Sequence, residues 1–307
     1  MGTITGNGTA ITGLGGVAGY GETAITRSDD GFTQVNVSAV FESGFDIGGT
    51  IYGGNQFYIS TDGFVTFGGG VSGLPTNPAT LTVPFLAIFM ADVDTRLDGE
   101  GAESGQVWLD VDTVQDCVTI TWDDVGFYRR NASETNTFQM QLFDRGAGTF
   151  DVVYRFEDID WTSGDLQGGW GGLGGDPAFI GYRMDDTGQM VAIAPSGSEA
   201  SQLVLPTTFG NTGVTGMWVF RLGGNPVPSA IVGGAGSDTL QGTNGSDTMQ
   251  GMQGNDRLIG SNGADMLDGG AGWDAVDYAI APGAVLLDRT NVTLNTGWAA
   301  GDTFLSV

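Results

Sequence analysis

Residues 233–277 read GGAGSDTLQ GTNGSDTMQ GMQGNDRLI GSNGADMLD GGAGWDAVD, five contiguous nine-residue units of the pattern Gly-x-x-Gly-x-Asp-x-(large apolar)-x. The aspartates fall at Asp238, Asp247, Asp256, Asp265 and Asp274, and the apolar residues at Leu240, Met249, Leu258, Leu267 and Val276. A unit this short cannot bury its apolar side chain alone, so the units must stack. The first six residues of each make a tight turn, where glycine at positions one and four supplies backbone angles that a β-carbon disfavours. The last three make a short strand whose middle side chain points inward. Two units then close one coil, and apolar side chains enter a thin core from opposite walls. Each stacked pair of turns gathers two carboxylates and several carbonyls, an all-oxygen set that suits a hard cation such as calcium. Glycine, aspartate and hydrophobe held in phase across five units argue against an unstructured acidic linker. Position two is the loosest, with Thr243, Met252 and Ser261 expected to offer only a carbonyl.

These units resemble the hemolysin-type, repeats-in-toxin (RTX) β-roll family, with Asp256, Leu258, Gly263, Asp265, Leu267, Gly269, Gly270 and Asp274 in its register. The resemblance implies that each ion sits between a turn and the turn two repeats later. Gly234, Gly236 and Asp238 would then face Gly251, Gln253 and Asp256. Thr243, Gly245 and Asp247 would face Gly260, Asn262 and Asp265, and Met252, Gly254 and Asp256 would face Gly269, Ala271 and Asp274. About three calcium ions follow. The resemblance also implies export by a one-step type I machinery and folding outside the cell, hence an extracellular or cell-surface location.

Composition narrows the chemistry. Among 307 residues there are 36 acids and 10 bases, all arginine, for a formal net charge of −26. Such a surface repels nucleic acid and anionic membranes and attracts divalent cations. With no histidine, imidazole is unavailable as base, proton shuttle or metal ligand. The single cysteine, Cys117, lies in the alternating run DCVTITWDD and reads as a buried structural thiol. The longest apolar run, Val83 to Ala91, is too short to span a membrane, and the N-terminus lacks the pattern of a secretory signal peptide.

Residues 19–222 carry short alternating runs separated by Gly, Asp, Asn and Pro, the pattern of an all-β domain. Strands are expected at VNVSAVF (Val35 to Phe41), QFYIS, FVTF, VPFLAIF, QVWLDV, CVTITW, TFQMQLF, FDVVYRF, AFIGYR, QLVLP and MWVFRL. So many short strands need two faces to bury, which favours a two-sheet sandwich. In order, DDGFTQVNVSAVFESGFDIGGTIY, QFYISTDGFVTFGG, PFLAIFMADVDTR, VTITWDDVGFY, YRFEDIDW and GMWVFRL resemble the nidogen-like domain. The fold class expected is thus all-β, a β-sandwich-like nidogen-type domain followed by a calcium-binding parallel β-roll. Residues 1–18 form a glycine- and threonine-rich segment, 223–232 a proline-containing linker, 233–277 the roll, and 278–307 a post-repeat β segment expected to be truncated.

Asp92 and Asp94 invite a metal reading, but Arg96 stands where an EF-hand would need a third oxygen, so a turn that bonds amides or pairs with Arg96 is expected. Trp108 and Trp122 lie in strands and read as core, whereas Trp170 in LQGGWGGLGG reads as a contact residue. No carboxylate pair is singled out for catalysis. The function expected is a secreted calcium-binding protein, not an enzyme, with a cell-matrix or cell-surface adhesion role toward a protein or glycan. The alternative is the N-terminal part of a larger exported hydrolase whose catalytic domain lies elsewhere.

Overall fold

The computed structural model describes residues 2–75, 77–184, 190–193, 196–223, 229–242, 247–261, 265–281, 283–289 and 291–307. The chain divides into two compact units, Met1–Thr208 with Thr215–Met217, and Phe209–Val214 with Trp218–Val307. The closing strand Met217–Leu222, expected to end the first module, falls mostly in the second unit.

Two antiparallel sheets build the first unit. The larger runs in the order Thr23–Ala24, Gln106–Asp112, Cys117–Phe127, Asn131–Gly146, Thr149–Ile159, with Val93–Asp94 also pairing to Cys117–Phe127. The other runs in the order Val191–Ala192, Phe179–Arg183, Phe85–Met90, Phe64–Phe67, Phe57–Ser60, Phe32–Val35. Their inner faces meet through aromatic rings: Phe89 packs 5.3 Å from Phe138 and edge-on to Trp161, and Phe138 stacks on Trp122. Trp122 also donates its indole N–H to the Thr61 carbonyl at 2.9 Å, so its polar end is satisfied inside the core. All six residues of Phe85–Met90 are buried, which explains why this stretch reads as a continuous apolar run. Cys117 is a buried free thiol, pushed up to about 12 chiefly by burial, which leaves it unreactive.

Three sequence expectations are corrected. Only Val35 of VNVSAVF is in a strand, at the end of Phe32–Val35. Val37, Val40 and Phe41 are buried through a turn in which Val40 and Phe41 both donate to the Val37 carbonyl. Their i, i+3, i+4 spacing is that of a helical turn and not of a strand. QLVLP forms the end of the short helix Glu199–Gln202 and the 3₁₀ turn Leu205–Thr207, with the Gln202 amide buried against the Ala178 carbonyl at 2.6 Å. The N-terminal segment 1–18 is part of the first unit: the buried Arg155 guanidinium bonds the carbonyls of Thr5 and Asn7 as well as Gln141 Oε1. Burial lowers Arg155 to about 10, still cationic at neutral pH.

The second unit contains two parallel stacks. One wall stacks Ser229–Val232, Asp247–Gln250, Met266–Asp268 and Thr303–Leu305. The other stacks Thr239–Gln241, Arg257–Ile259 and Ala275–Asp277. Ile231, Leu240, Met249, Leu258 and Leu267 form the buried core, with Val276 and Phe304 packed against it. Parallel strands with one inward side chain per unit are what the repeat demands. Position-four glycines have a steric cause: a β-carbon at Gly254 would overlap the Gly236 carbonyl, and one at Gly272 the Gly254 carbonyl.

Candidate metal centre

The two edges of the roll hold the turns that follow each wall. On one edge are the turns ending at Asp238, Asp256 and Asp274; on the other are those ending at Asp247 and Asp265. The backbone N–H of each aspartate donates to Oδ1 of the aspartate one coil later: Asp238 to Asp256 at 2.8 Å, Asp247 to Asp265 at 2.9 Å, and Asp256 to Asp274 at 2.8 Å. The next amide answers in the opposite sense, Arg257 N–H to the Asp238 carbonyl at 2.9 Å and Ala275 N–H to that of Asp256 at 2.8 Å. This reciprocal pairing fixes carboxylates above one another with one oxygen committed to the backbone.

The remaining oxygens define the site. Oδ2 of Asp256 and Oδ2 of Asp274 are buried and have no hydrogen-bond partner. A buried carboxylate oxygen without donor or counter-ion is costly. Burial raises the Asp256 carboxyl above its ordinary range, and the charges of Asp274 and Asp238 add to the rise. The requirement is for a cation at this edge, and the residues fit calcium. Among the described residues no three acidic side chains converge, so two carboxylates must be completed by carbonyls, as calcium tolerates. The carbonyls of Gly234, Met252 and Ala271 each accept one backbone N–H, from Gln253, Ala271 and Gly254 at 3.3, 2.9 and 2.9 Å. Each keeps a second lone pair. Gly236 and Gln253 are exposed, and Gly251 and Gly269 are buried between the stacked turns. Thr243, Gly245 and Asn262 lie outside the described residues. The second edge is therefore described by Asp247, Gly260 and Asp265 alone. There Ser261 Oγ lies 3.0 Å from Asp265 Oδ2, and burial lifts Asp265 to about 7.

A nidogen-like domain model matches residues 110–224, and an RTX calcium-binding nonapeptide repeat model matches residues 232–267 and 250–279. The chain carries a nidogen-like domain followed by RTX calcium-binding repeats. Nidogen of Drosophila melanogaster is 26% identical over 188 residues, covering 54% of this chain. The chain spans 14% of that relative's length. No solved structure matches at a significant level. The nidogen-like match begins later than residue 19; the strands of the second sheet as far as Phe85–Met90 precede it.

The RTX roll extends beyond its five regular repeats at both ends. Ile231 stacks on Met249 from the segment read as linker, and Phe304 stacks on Leu267 from the segment read as a separate post-repeat region. Asp302 continues the aspartate ladder. Its Oδ1 accepts the Asp265 N–H at 2.8 Å, and Thr303 N–H donates to the Asp265 carbonyl at 2.7 Å, the same reciprocal pair seen at Asp256 and Asp274. Tyr278 occupies position one of this sixth turn, directly after Asp277, and a β-carbon on Gly260 beneath it would overlap the tyrosine ring. The six-residue turn of the regular repeats has become the 25 residues Tyr278–Asp302. Here the second carboxylate oxygen is not orphaned, because the Tyr278 hydroxyl donates to Asp302 Oδ2. The sequence signal was present as Gly301-Asp302-Thr303-Phe304, but out of phase with the repeat.

In the first unit Asp92 and Asp94 organise backbone. Asp94 is fully buried and accepts Nε and Nη2 of Arg96, at 2.8 and 2.6 Å, and the Arg130 N–H at 2.9 Å. Asp92 Oδ2 accepts the Leu166 N–H at 3.1 Å, and the Asp92 carbonyl accepts the Tyr128 N–H at 2.9 Å. Trp122 is core, Trp108 is half-buried, and Trp170 is 88% exposed.

Proposed function

We propose that the chain is a secreted, calcium-stabilised adhesion module, in which the RTX roll folds on binding calcium and the nidogen-like domain presents loops to a matrix or cell-surface partner. The observation that carries this reading is the pair of buried, unpartnered oxygens on Asp256 and Asp274, which leaves the roll short of positive charge until a divalent cation arrives. About three ions, one for each pair of stacked turns among the five repeats, are the expected complement. An ion that binds only the folded roll stabilises it by RT ln(1 + [Ca]/Kd), so a millimolar extracellular supply favours folding and a calcium-poor cytoplasm does not. That dependence supports an extracellular address and passage through a type I exporter before folding. The nidogen-like domain and its likeness to an animal nidogen support the adhesive role. Binding, with no catalytic step, is the reading that a chain without histidine and with its cysteine buried supports.

The test is hydrogen exchange on the full chain with calcium and with chelator. Amides of Thr239–Gln241, Arg257–Ile259 and Met266–Asp268 should lose protection in chelator, while those of Cys117–Phe127 keep theirs. Equal protection of the roll in both conditions refutes the folding switch. Adhesion is tested by binding of the calcium-loaded chain to extracellular matrix preparations; no retention above that of an unrelated acidic protein refutes it.

A further inference from the structure

Two loops of the nidogen-like domain are held by a single segment. Asp92 and Asp94 bond Tyr128 N–H and Arg130 N–H on one side and Leu166 N–H on the other. The first loop is a tight turn between Cys117–Phe127 and Asn131–Gly146 in which Arg129 and Arg130 take φ of +69° and +57°. Left-handed backbone is unfavourable for arginine and normally falls to glycine or asparagine. The second loop ends in a four-residue turn, where Trp170 and Leu173 bond each other at 2.8 and 3.4 Å across Gly171 and Gly172. The Gly172 carbonyl accepts the amides of Thr162 and Ser163, which fixes the turn to the core. Trp170 therefore stands 88% exposed on a rigid support. Between the loops lies an open groove of about 560 Å³ lined by Tyr128, Arg129, Arg130, Asn131, Ser133 and Trp170.

We propose that this groove binds a short acidic saccharide. The assignment rests on the adhesion reading above and names the chemistry of its partner. An exposed indole offers a flat face to the C–H side of a sugar ring. The exposed Arg130 guanidinium beside it matches a carboxylate or sulfate through paired N–H donors. Arg129 is steadied by lying 5.6 Å over the Tyr128 ring, while Asn131 and Ser133 supply hydrogen-bonding groups for hydroxyls. The volume falls within the range of pockets that enclose small ligands. The net charge of −26 restricts ligand length. Attraction at Arg130 is local, whereas a long polyanion would meet the acidic remainder of the surface.

The experiment is calorimetric titration of the calcium-saturated full chain with a short oligogalacturonate, its uncharged methyl ester and a sulfated oligosaccharide of similar size. An oligoglutamate peptide is titrated in parallel. Trp170→Ala removes an exposed side chain, and Arg130→Gly removes the guanidinium while relieving the left-handed backbone, so neither variant threatens folding. An acidic saccharide should bind the parent chain, and each variant should weaken it by at least about tenfold. Equal affinity in parent and variants, or no binding of either acidic saccharide, overturns the assignment, as does a preference for the methyl ester or for the peptide. Adhesion to matrix that survives both variants would overturn the groove and leave the adhesion reading standing. Saccharide binding without matrix adhesion would do the reverse.

Discussion

Phe304→Ala probes whether Thr303–Leu305 is a working coil of the roll. Phe304 packs on the apolar core opposite Leu267, is half-buried, and closes the stack at its last strand. Removing a fully buried phenylalanine costs about 3–5 kcal/mol, so a half-buried one is expected to cost about 2 kcal/mol. Leu305 lies on the outward side of the same strand, 51% exposed, and its replacement by alanine should stay within about 0.5 kcal/mol. The assay is native-state hydrogen exchange at Met266–Asp268 in saturating calcium, where a loss of about 2 kcal/mol appears as exchange roughly 30-fold faster. Phe304→Ala should show that acceleration and Leu305→Ala should not. Identical exchange in the two variants would mean that the strand merely lies against the roll, and the six-turn description would fall.

Asp256 faces both Asp238 and Asp274, so Asp256→Asn should lower the calcium count by native mass spectrometry more than Asp238→Asn does; equal losses would break the shared-ligand reasoning. Met252 holds φ +74° where the first and last repeats have glycine, and is half exposed. Met252→Gly should stabilise the calcium-loaded roll by about 1 kcal/mol in denaturant unfolding, and a loss of stability would refute the strain argument. In the first unit Asp62 is wholly buried, and its carboxyl is raised well above the ordinary range by burial first and then by the charges of Asp30, Asp92 and Asp29. A raised folded-state pKa gives stability that is complete below the unfolded value of about 4 and is lost as pH climbs through the folded value. Asp62→Asn should therefore flatten the decline in melting temperature toward alkaline pH, and a slope unchanged from the parent would show that Asp62 does not titrate there.

The roll was legible because its register is local: glycine, aspartate and hydrophobe recur every nine residues, and the stack needs no distant partner to be inferred. The same rule hid its ends. Ile231 and Phe304 are ordinary core residues of the coil, but neither sits in a complete unit, and the loop before Asp302 breaks the phase. In the sandwich, alternation located the strands wherever both neighbours were sheet. It failed at Val37, Val40 and Phe41, where a buried turn uses the same residue types at helical spacing. The groove was half visible. Trp170 stood out on its glycine-rich loop, but nothing in the sequence placed it beside Arg129 and Arg130, because the link is two hydrogen-bonding aspartates some seventy residues upstream of Leu166.

The lengthened sixth turn separates two properties that a strict repeat keeps together. Coil number in the roll is set by strands that meet a fixed spacing, whereas chain length between them is set only by turns that face outward. A turn can therefore carry a payload of residues, Ala279 to Gly301 here, without disturbing the strand that follows it. Rolls of this kind can acquire surface loops by insertion while their aspartate ladder and core stay in step. Their true length is then measured by stacked strands in space and is undercounted by any period read along the chain.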